Sequence, residues 1–295
     1  MPRLTDGSRF SFGADEFVFV ELSDEMSLEQ TLRVIAITDA LRAASLVGVT
    51  DICPAHVSYM LRLDPTLMDP RDVIESLEEA HQCCGQSADL VIQSRLIEIP
   101  VFYNDPWTRE TVMRFRDRHQ SNDMNDLEYC ASVNGFSDIQ SFIEAHSGNP
   151  FIATFIGFMP GNAESYQLVP RKEQLQAPKY LRPRTDTPAR ALGHGGAFTT
   201  VYPVRGAGGF QLLGRAAVPV FDPESRLDDF GGKIVLPRAG DIFKYRPIEV
   251  EEYEAIRAEV EEGHYTYTMH ETTFDLAAFQ KDPPGYNAEL LEVLR

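Results

Sequence analysis

Residues Phe17 to Leu22, FVFVEL, alternate aromatic and β-branched side chains up to Glu21, a period-two pattern that reads as a strand. Directly behind them the period changes. Leu28, Leu32, Ile35, Ala36 and Leu41 recur at helical intervals across Leu28 to Ala43, and Ser27 stands where a cap belongs. VTDICPA and SYMLRL then read as two strands. Asp69 to Cys83 reads as a second amphipathic helix, with Val73, Leu77 and Ala80 on one face, and LIEIPVFY as a closing strand. The order β-α-β-β-α-β over Phe12 to about Pro100 predicts a ferredoxin-like sandwich.

The pattern then shifts twice. From Asp105 to His146 it is helical and polar: DPWTRETVMRFRDRH fits a helix with Pro106 at its first position, and SDIQSFIEAHSG fits another, stopped by Gly148. From Phe151 to Pro247 strands and turns dominate, with FIATFIGF, TTVYPV, FQLLGRAAVPVF, KIVLP and DIFKYRPI as candidate strands. Their spacing predicts a closed β-barrel or a rolled sandwich. Glu249 to Glu262 reads as a charged helix. The expected plan is α+β: an α/β domain over 1–104, a helical connector over 105–148, a barrel over 149–248, and a helix with a tail over 249–295.

Composition narrows the classes of function. Lys and Arg number 27 against 45 Asp and Glu, a net charge of –18. That balance argues against binding nucleic acid or an anionic membrane surface, both of which call for basic patches. No apolar run approaches the roughly 18 residues that span a bilayer, and MPRLTDGSRF has no apolar signal core. Cys53, Cys83, Cys84 and Cys130 show no C-x-x-C spacing, so reduced thiols and a cytoplasmic location are expected, with no metal site.

Candidate chemistry concentrates between Ala177 and Arg215. Two Pro-rich elbows and several Gly clusters there gather Lys179, Tyr180, Arg184, His194, Tyr202, Gln211 and Arg215 within about forty residues, because Gly and Pro permit tight turns. No P-loop, H-E-x-x-H or G-x-S-x-G motif occurs, and the glycines do not form a dinucleotide fingerprint.

The same stretch carries Lys179-Tyr180, Pro183, Arg184-Thr185, Thr187-Pro188, Gly193, Gly195-Gly196, Val201-Tyr202, Gly208-Gly209-Phe210-Gln211 and Gly214-Arg215 in unbroken order. With FGADEFVFVE, DPWTRE, VNGFSDI and HETTFDLAAFQ elsewhere, it resembles the carboxyltransferase region of urea carboxylase. That family also carries the labels allophanate hydrolase subunit 1 and 5-oxoprolinase B subunit. The DPWTRE and ETTF blocks resemble the urea carboxylase branch more than the shorter 5-oxoprolinase branch.

The resemblance implies a cyclophilin-like topology for the barrel. It implies transfer of a carboxyl group from carboxybiotin, carried on a separate chain, to a nitrogen of urea or of a related small amide or guanidine. The chain has no Met-Lys-Met carrier signature and no ATP-grasp segment. The expected partners are therefore an allophanate hydrolase subunit 2-like protein, a biotin carboxylase and a biotin carrier protein, and activity is expected only with them. Other readings within the same superfamily are a component of an ATP-dependent 5-oxoprolinase and a non-catalytic binding protein akin to kinase inhibitors.

The resemblance also suggests roles. Lys179 would stabilise negative charge developing on the departing group. Arg184 offers a planar fork for a carboxylate or ureido carbonyl. Gln211, an amide inside an apolar strand, can present donor and acceptor together. Tyr180, beside Lys179, and His194 are candidates to bind the substrate, and His194 stands where the family pattern has an aliphatic residue. After Gly157-Phe158-Met159-Pro160-Gly161 the chain departs from the family turn at Asn162 to Tyr166, making Glu164 and Tyr166 candidates for reading the substrate. A carboxylate such as Glu164 favours a cation such as a guanidinium.

Overall fold

The computed structural model of the chain describes residues 1–84 and 90–294. They fall into two compact units: one comprises residues 1–94, 154–156 and 272–282, the other residues 95–153, 157–271 and 283 onward.

The first unit begins with a hairpin, β1 (Arg9–Gly13) and β2 (Phe17–Glu21), then α1 (Leu28–Ala44), β3 (Val49–Pro54), β4 (Ser58–Leu63) and α2 (Ile74–Cys83). Ser27 caps α1 by accepting from the Gln30 backbone N–H. The helix α2 starts later than its periodicity suggests, because the Asp69 carboxylate accepts the Arg71 backbone N–H at 2.9 Å and holds a local turn instead. The sheet order is β1-β2-β4-β3, antiparallel throughout. Val18, Val20, Tyr59, Leu61 and Leu63 form one buried face with Val34, Ile37, Leu41 and Leu77 of the helices.

The ferredoxin-like order is thus present, but its outer edge belongs to β1. The segment LIEIPVFY does not close this sheet. It lies in β5 (Val91–Tyr103), whose second half is buried at nearly every position. A strand covered on both sides reads as a continuous apolar run, and that is what LIEIPVFY is.

From β5 the chain runs through α3 (Pro106–Arg114), α4 (Asp126–Val133), α5 (Ile139–Gly148), β6 (Phe151–Ile156), β7 (Ala163–Gln167), β8 (Arg184–Thr187), β9 (Ala191–Gly195) and β10 (Phe198–Val201). It continues as β11 (Gly206–Gly208), β12 (Gln211–Ala216), β13 (Ile242–Pro247), α6 (Val250–Glu262), β14 (Met269–Asp275), α7 (Leu276–Lys281) and α8 (Pro283–Leu291). Strands β12-β9-β10-β7-β6-β13-β5 pair in that order, and β5 returns to pair with β12, closing a barrel; β14 adds beside β5. The β5–β13 pair is parallel, although its neighbours are antiparallel. At the closing seam, a Cβ on Gly214 would sit 2.5 Å from the Phe102 carbonyl oxygen, so the strands meet there only through glycine.

Three differences from the sequence reading matter. Residues 105–148 are not a free connector: they belong to the barrel unit, with α3 and α4 packed on β12. KIVLP forms no strand, only an isolated bridge from Val235 to Phe221. Strand β9, ALGHG, has the composition of a turn yet lies inside the barrel wall. Its glycines make room for rings: a Cβ on Gly193 would stand 2.8 Å from the Tyr202 ring, and one on Gly195 2.6 Å from the Phe210 ring.

Candidate functional site

Lys179 sits on a short irregular segment between the barrel and α4. Its backbone is pinned on three sides. Gln211 Nε2 donates to the Pro178 carbonyl at 2.7 Å, Gln120 Nε2 donates to the Lys179 carbonyl, and the Tyr180 N–H donates to the Gly209 carbonyl at 2.7 Å. The Lys179 side chain is exposed, with its ammonium 4.7 Å from the centre of the Phe210 ring. A flexible cation is thereby displayed from a rigid base.

Beneath it lies a buried polar cluster. The Asp126 carboxylate accepts the Tyr180 hydroxyl at 2.6 Å and the Leu212 N–H at 2.6 Å. Asp126 opens α4, where Asn125 and Glu128 form a reciprocal capping box that fixes the helix start. Burial raises the Asp126 pKa, while the Tyr180 hydroxyl, the Leu212 N–H and Arg184 pull it back. Burial, reinforced by the Asp126 charge, pushes the Tyr180 phenol well above its ordinary value, so it remains a donor.

Arg184 is fully buried. Its guanidinium carbon lies 4.4 Å from the centre of the Tyr180 ring, and its Nε donates to Thr187 Oγ1 at 3.2 Å. Its Nη1 stands 4.0 Å from Asp126 Oδ2, and neither Nη1 nor Nη2 has a hydrogen-bond partner. Gln211 is equally buried, and His119 Nε2 donates to its Oε1 at 2.8 Å. His119 Nδ1 accepts from the Ser121 N–H at 2.9 Å, and the ring is held edge-on between Tyr129 and Tyr180.

The structure therefore brings Lys179, Tyr180, Arg184 and Gln211 into one cluster and adds His119, Gln120 and Asp126. Only Lys179 of the expected four reaches the surface. Both ends of the Gln211 amide are engaged within the protein, and they hold the Pro178–Lys179 backbone. The added residues lie on the polar stretch after α3. The Asn125-x-x-Glu128 pair was the available signal for the start of α4.

His194 is elsewhere and is not in a loop. It is buried in β9, with Nε2 3.2 Å from the Leu175 carbonyl and Nδ1 2.9 Å from Thr199 Oγ1. The same hydroxyl lies 2.9 Å from His146 Nε2, and His146 Nδ1 lies 2.9 Å from the Tyr103 hydroxyl. The donors run in one direction: Tyr103 to His146, His146 to Thr199, Thr199 to His194, His194 to the Leu175 carbonyl. Burial lowers the His194 pKa to about 4 and drops that of His146 well below its ordinary value.

Glu164 and Tyr166 also lie in a strand, β7, on the face opposite buried Ala163, Ser165 and Gln167. Both are half-buried, and Tyr166 packs 5.8 Å from the Phe198 ring. The turn before them closes at Asn162, whose N–H donates to Met159 O and whose Oδ1 accepts from Thr200 Oγ1 at 3.2 Å. Among the described residues no three His, Cys, Asp or Glu side chains are placed to share a metal ion, and no helix is long and apolar enough to cross a membrane.

The barrel is closed by glycine and carries a lysine displayed over a buried Asp–Arg–Tyr cluster. Residues 8–229 match the family model of the carboxyltransferase domain, subdomain C and D, and the chain belongs to that family. The B subunit of 5-oxoprolinase from Escherichia coli O157:H7 is 29% identical over 232 residues, covering 78% of this chain and 91% of that protein. Urea amidolyase of Saccharomyces cerevisiae is 22% identical over 302 residues, covering 93% of this chain but 16% of that protein. The crystal structure of Kluyveromyces lactis urea carboxylase superimposes with a TM-score of 0.82 at 20% identity, over 98% of this chain and 26% of that one. The chain thus corresponds to nearly all of a subunit in one kind of relative and to a small part of a much longer chain in the other.

Proposed function

We propose that this chain is one component of a biotin-dependent carboxyltransferase acting on a nitrogen of urea or a related small amide or guanidine, and that it works with partner subunits. The observation that carries the reading is Lys179, an exposed ammonium on a backbone fixed by Gln120, Gln211 and Gly209. Carboxybiotin, brought by a separate carrier, would supply the activated carboxyl group. A planar ureido group with exposed oxygen fits the display of Lys179 beside the flat face of Phe210, 4.7 Å away.

In this reading Lys179 holds positive charge where an oxygen becomes negative, from a backbone that is already fixed in place. Gln211 and Gln120 act on the reaction through the Lys179 backbone. Asp126 and Tyr180 fix the floor, and Arg184 sets its charge. The site lies open, so a partner surface would be needed to exclude water and complete the substrate pocket.

The second reading, a component of an ATP-dependent 5-oxoprolinase, is favoured by one specific observation: the greater identity to the 5-oxoprolinase B subunit, 29% against 22% for urea amidolyase. The test is a panel of urea, guanidine, 5-oxoproline and larger amides, assayed with the full chain reconstituted with the allophanate hydrolase subunit 2-like partner, biotin carboxylase and carrier. The proposal requires biotin-dependent carboxylation of urea or a close analogue. ATP-dependent opening of 5-oxoproline would replace it with the second reading. Tight binding to a kinase, with turnover of nothing on the panel, would point to a non-catalytic role.

A further inference from the structure

At the opposite end of β12 from Gln211, three arginines are tied to one patch of backbone. Arg190 donates its backbone N–H to the Tyr202 carbonyl at 2.6 Å, and its carbonyl accepts from the Ala216 N–H at 2.8 Å. Arg215 Nε donates to the Ala189 carbonyl, the residue before Arg190, at 3.2 Å. Arg257 on α6 donates to the Ala217 carbonyl, the residue after Ala216, at 3.2 Å. Because the Ala216 N–H to Arg190 carbonyl bond joins these two stretches, the three side chains are anchored on one patch, and Arg215 and Arg257 both disfavour the charge on Arg190.

The counter-charges do not balance. Arg257 pairs with Glu261 at 3.0 Å, a carboxylate that is itself mostly exposed. Arg215 has the buried Asp105 within electrostatic reach, but that carboxylate is spent on capping α3 through the Trp107 and Thr108 N–H groups. The groups that act most strongly on Arg190 are Tyr253, Arg257 and Arg215. Its Nε is buried with no hydrogen-bond partner, and the Tyr253 hydroxyl beside the guanidinium is the group that favours its charge. Burial together with the two neighbouring arginines lowers its pKa to about 10.

The arrangement is also held against local cost. Arg190 adopts φ +65°, a left-handed conformation that side chains other than Gly and Asn avoid. One side of the cluster is an aromatic wall. Trp107 and Tyr253 lie 5.3 Å apart, Phe102 lies 6.0 Å from Tyr253, and the Arg215 guanidinium stands 5.5 Å from the Trp107 ring.

We infer that Arg190, Arg215 and Arg257 form an anion site, separate from the Lys179 cluster, that takes a carboxylate. Arginine forks match a planar carboxylate in bidentate fashion. The nearby backbone N–H groups of Arg190, Ala216 and Ala217 are already bonded, so they offer no cradle of the kind that favours phosphate. The carboxylate belongs either to a small free acid or to an acidic side chain on a partner protein.

Trp107 is the chain's single tryptophan, so its emission reports on the site directly. The full chain is titrated, at constant ionic strength, with sodium malonate, with a glutamate-containing peptide, and with inorganic phosphate, using chloride as the reference. A saturable change in emission with malonate or with the peptide is expected, and the tighter of the two identifies the source of the carboxylate. Arg190→Gly, which suits the left-handed backbone and so preserves the fold, is expected to weaken that binding at least about tenfold. Arg257→Gln is expected to weaken it in the same direction. The inference is overturned if neither carboxylate saturates, if phosphate binds more tightly than both, or if Arg190→Gly, folded by circular dichroism, binds as the parent does.

Discussion

Lys179→Met separates catalysis from stability more cleanly than any other change at the candidate site. The wild-type side chain is exposed, and its ammonium contributes a cation–π contact to Phe210 at 4.7 Å. At an exposed site such a contact is worth about 0.5–1 kcal/mol, and methionine keeps most of the apolar stem. The segment itself is held by backbone bonds from Gln120, Gln211 and Gly209, which the substitution leaves intact. Unfolding free energy should therefore fall by no more than about 1 kcal/mol. Loss of a charge aimed at a developing oxyanion costs roughly 100- to 1,000-fold in turnover, about 2.7–4 kcal/mol. The expected result is a stable chain whose carboxyl transfer is nearly abolished when it is reconstituted with its partners, while the biotin carboxylase half-reaction proceeds normally. Lys179→Arg should recover part of the loss. Transfer by Lys179→Met within about threefold of wild type would refute the role given to this ammonium.

Other outcomes follow from the same geometry. Gln211→Leu leaves the Pro178 carbonyl and His119 Nε2 without their partner, so denaturant unfolding should show a loss of about 2–4 kcal/mol. A loss below about 1 kcal/mol would mean the amide is not structural. The His194 pKa falls from 6.5 to about 4 on folding, because burial favours the neutral ring. The stability this represents, about 3 kcal/mol, is full above pH 6.5 and drains away as the pH falls towards 4. His194→Gln should reduce the slope of stability across that window, leaving the part that buried His146 contributes, and an unchanged slope would exclude the His194 ring as a source. Gly214→Ala drives a Cβ to 2.5 Å from the Phe102 carbonyl oxygen and should cost about 3 kcal/mol or more in thermal unfolding, or split the β5–β12 seam.

Much of the framework was legible because local rules and tertiary packing agree there. Ser27 and Asp105 cap the helices their sequence promises, and FVFVEL is a strand with one buried face. Legibility ends where packing overrides local character. The glycines of ALGHG look like turns, yet they serve close packing against Tyr202 and Phe210, a reason that exists only once β9, β10 and β12 are assembled. LIEIPVFY was legible as a strand, but not its sheet, since β1 fills the edge it was expected to take. At the candidate site, Lys179, Tyr180, Arg184 and Gln211 are neighbours in sequence and in space. His119, Gln120 and Asp126 come from a polar stretch whose own pattern says only helix and loop; nothing local in it announces that Asp126 will reach the Leu212 N–H.

The line of donors from Tyr103 to the Leu175 carbonyl has a consequence for how this barrel can change over time. Each ring in it is committed to one tautomer by the residue behind it, so the line has a single polarity. Thr199 is its junction, giving one hydrogen bond and receiving another. Replacing Thr199 with valine would strand both histidines at once, whereas serine would keep both links. Apolar substitutions along this line are therefore tolerated in combinations and not singly: an apolar residue at 194 becomes acceptable only after 199 and 146 have also lost their need for partners. Five side-chain and backbone groups, drawn from five separate stretches of chain, would drift as one hereditary unit.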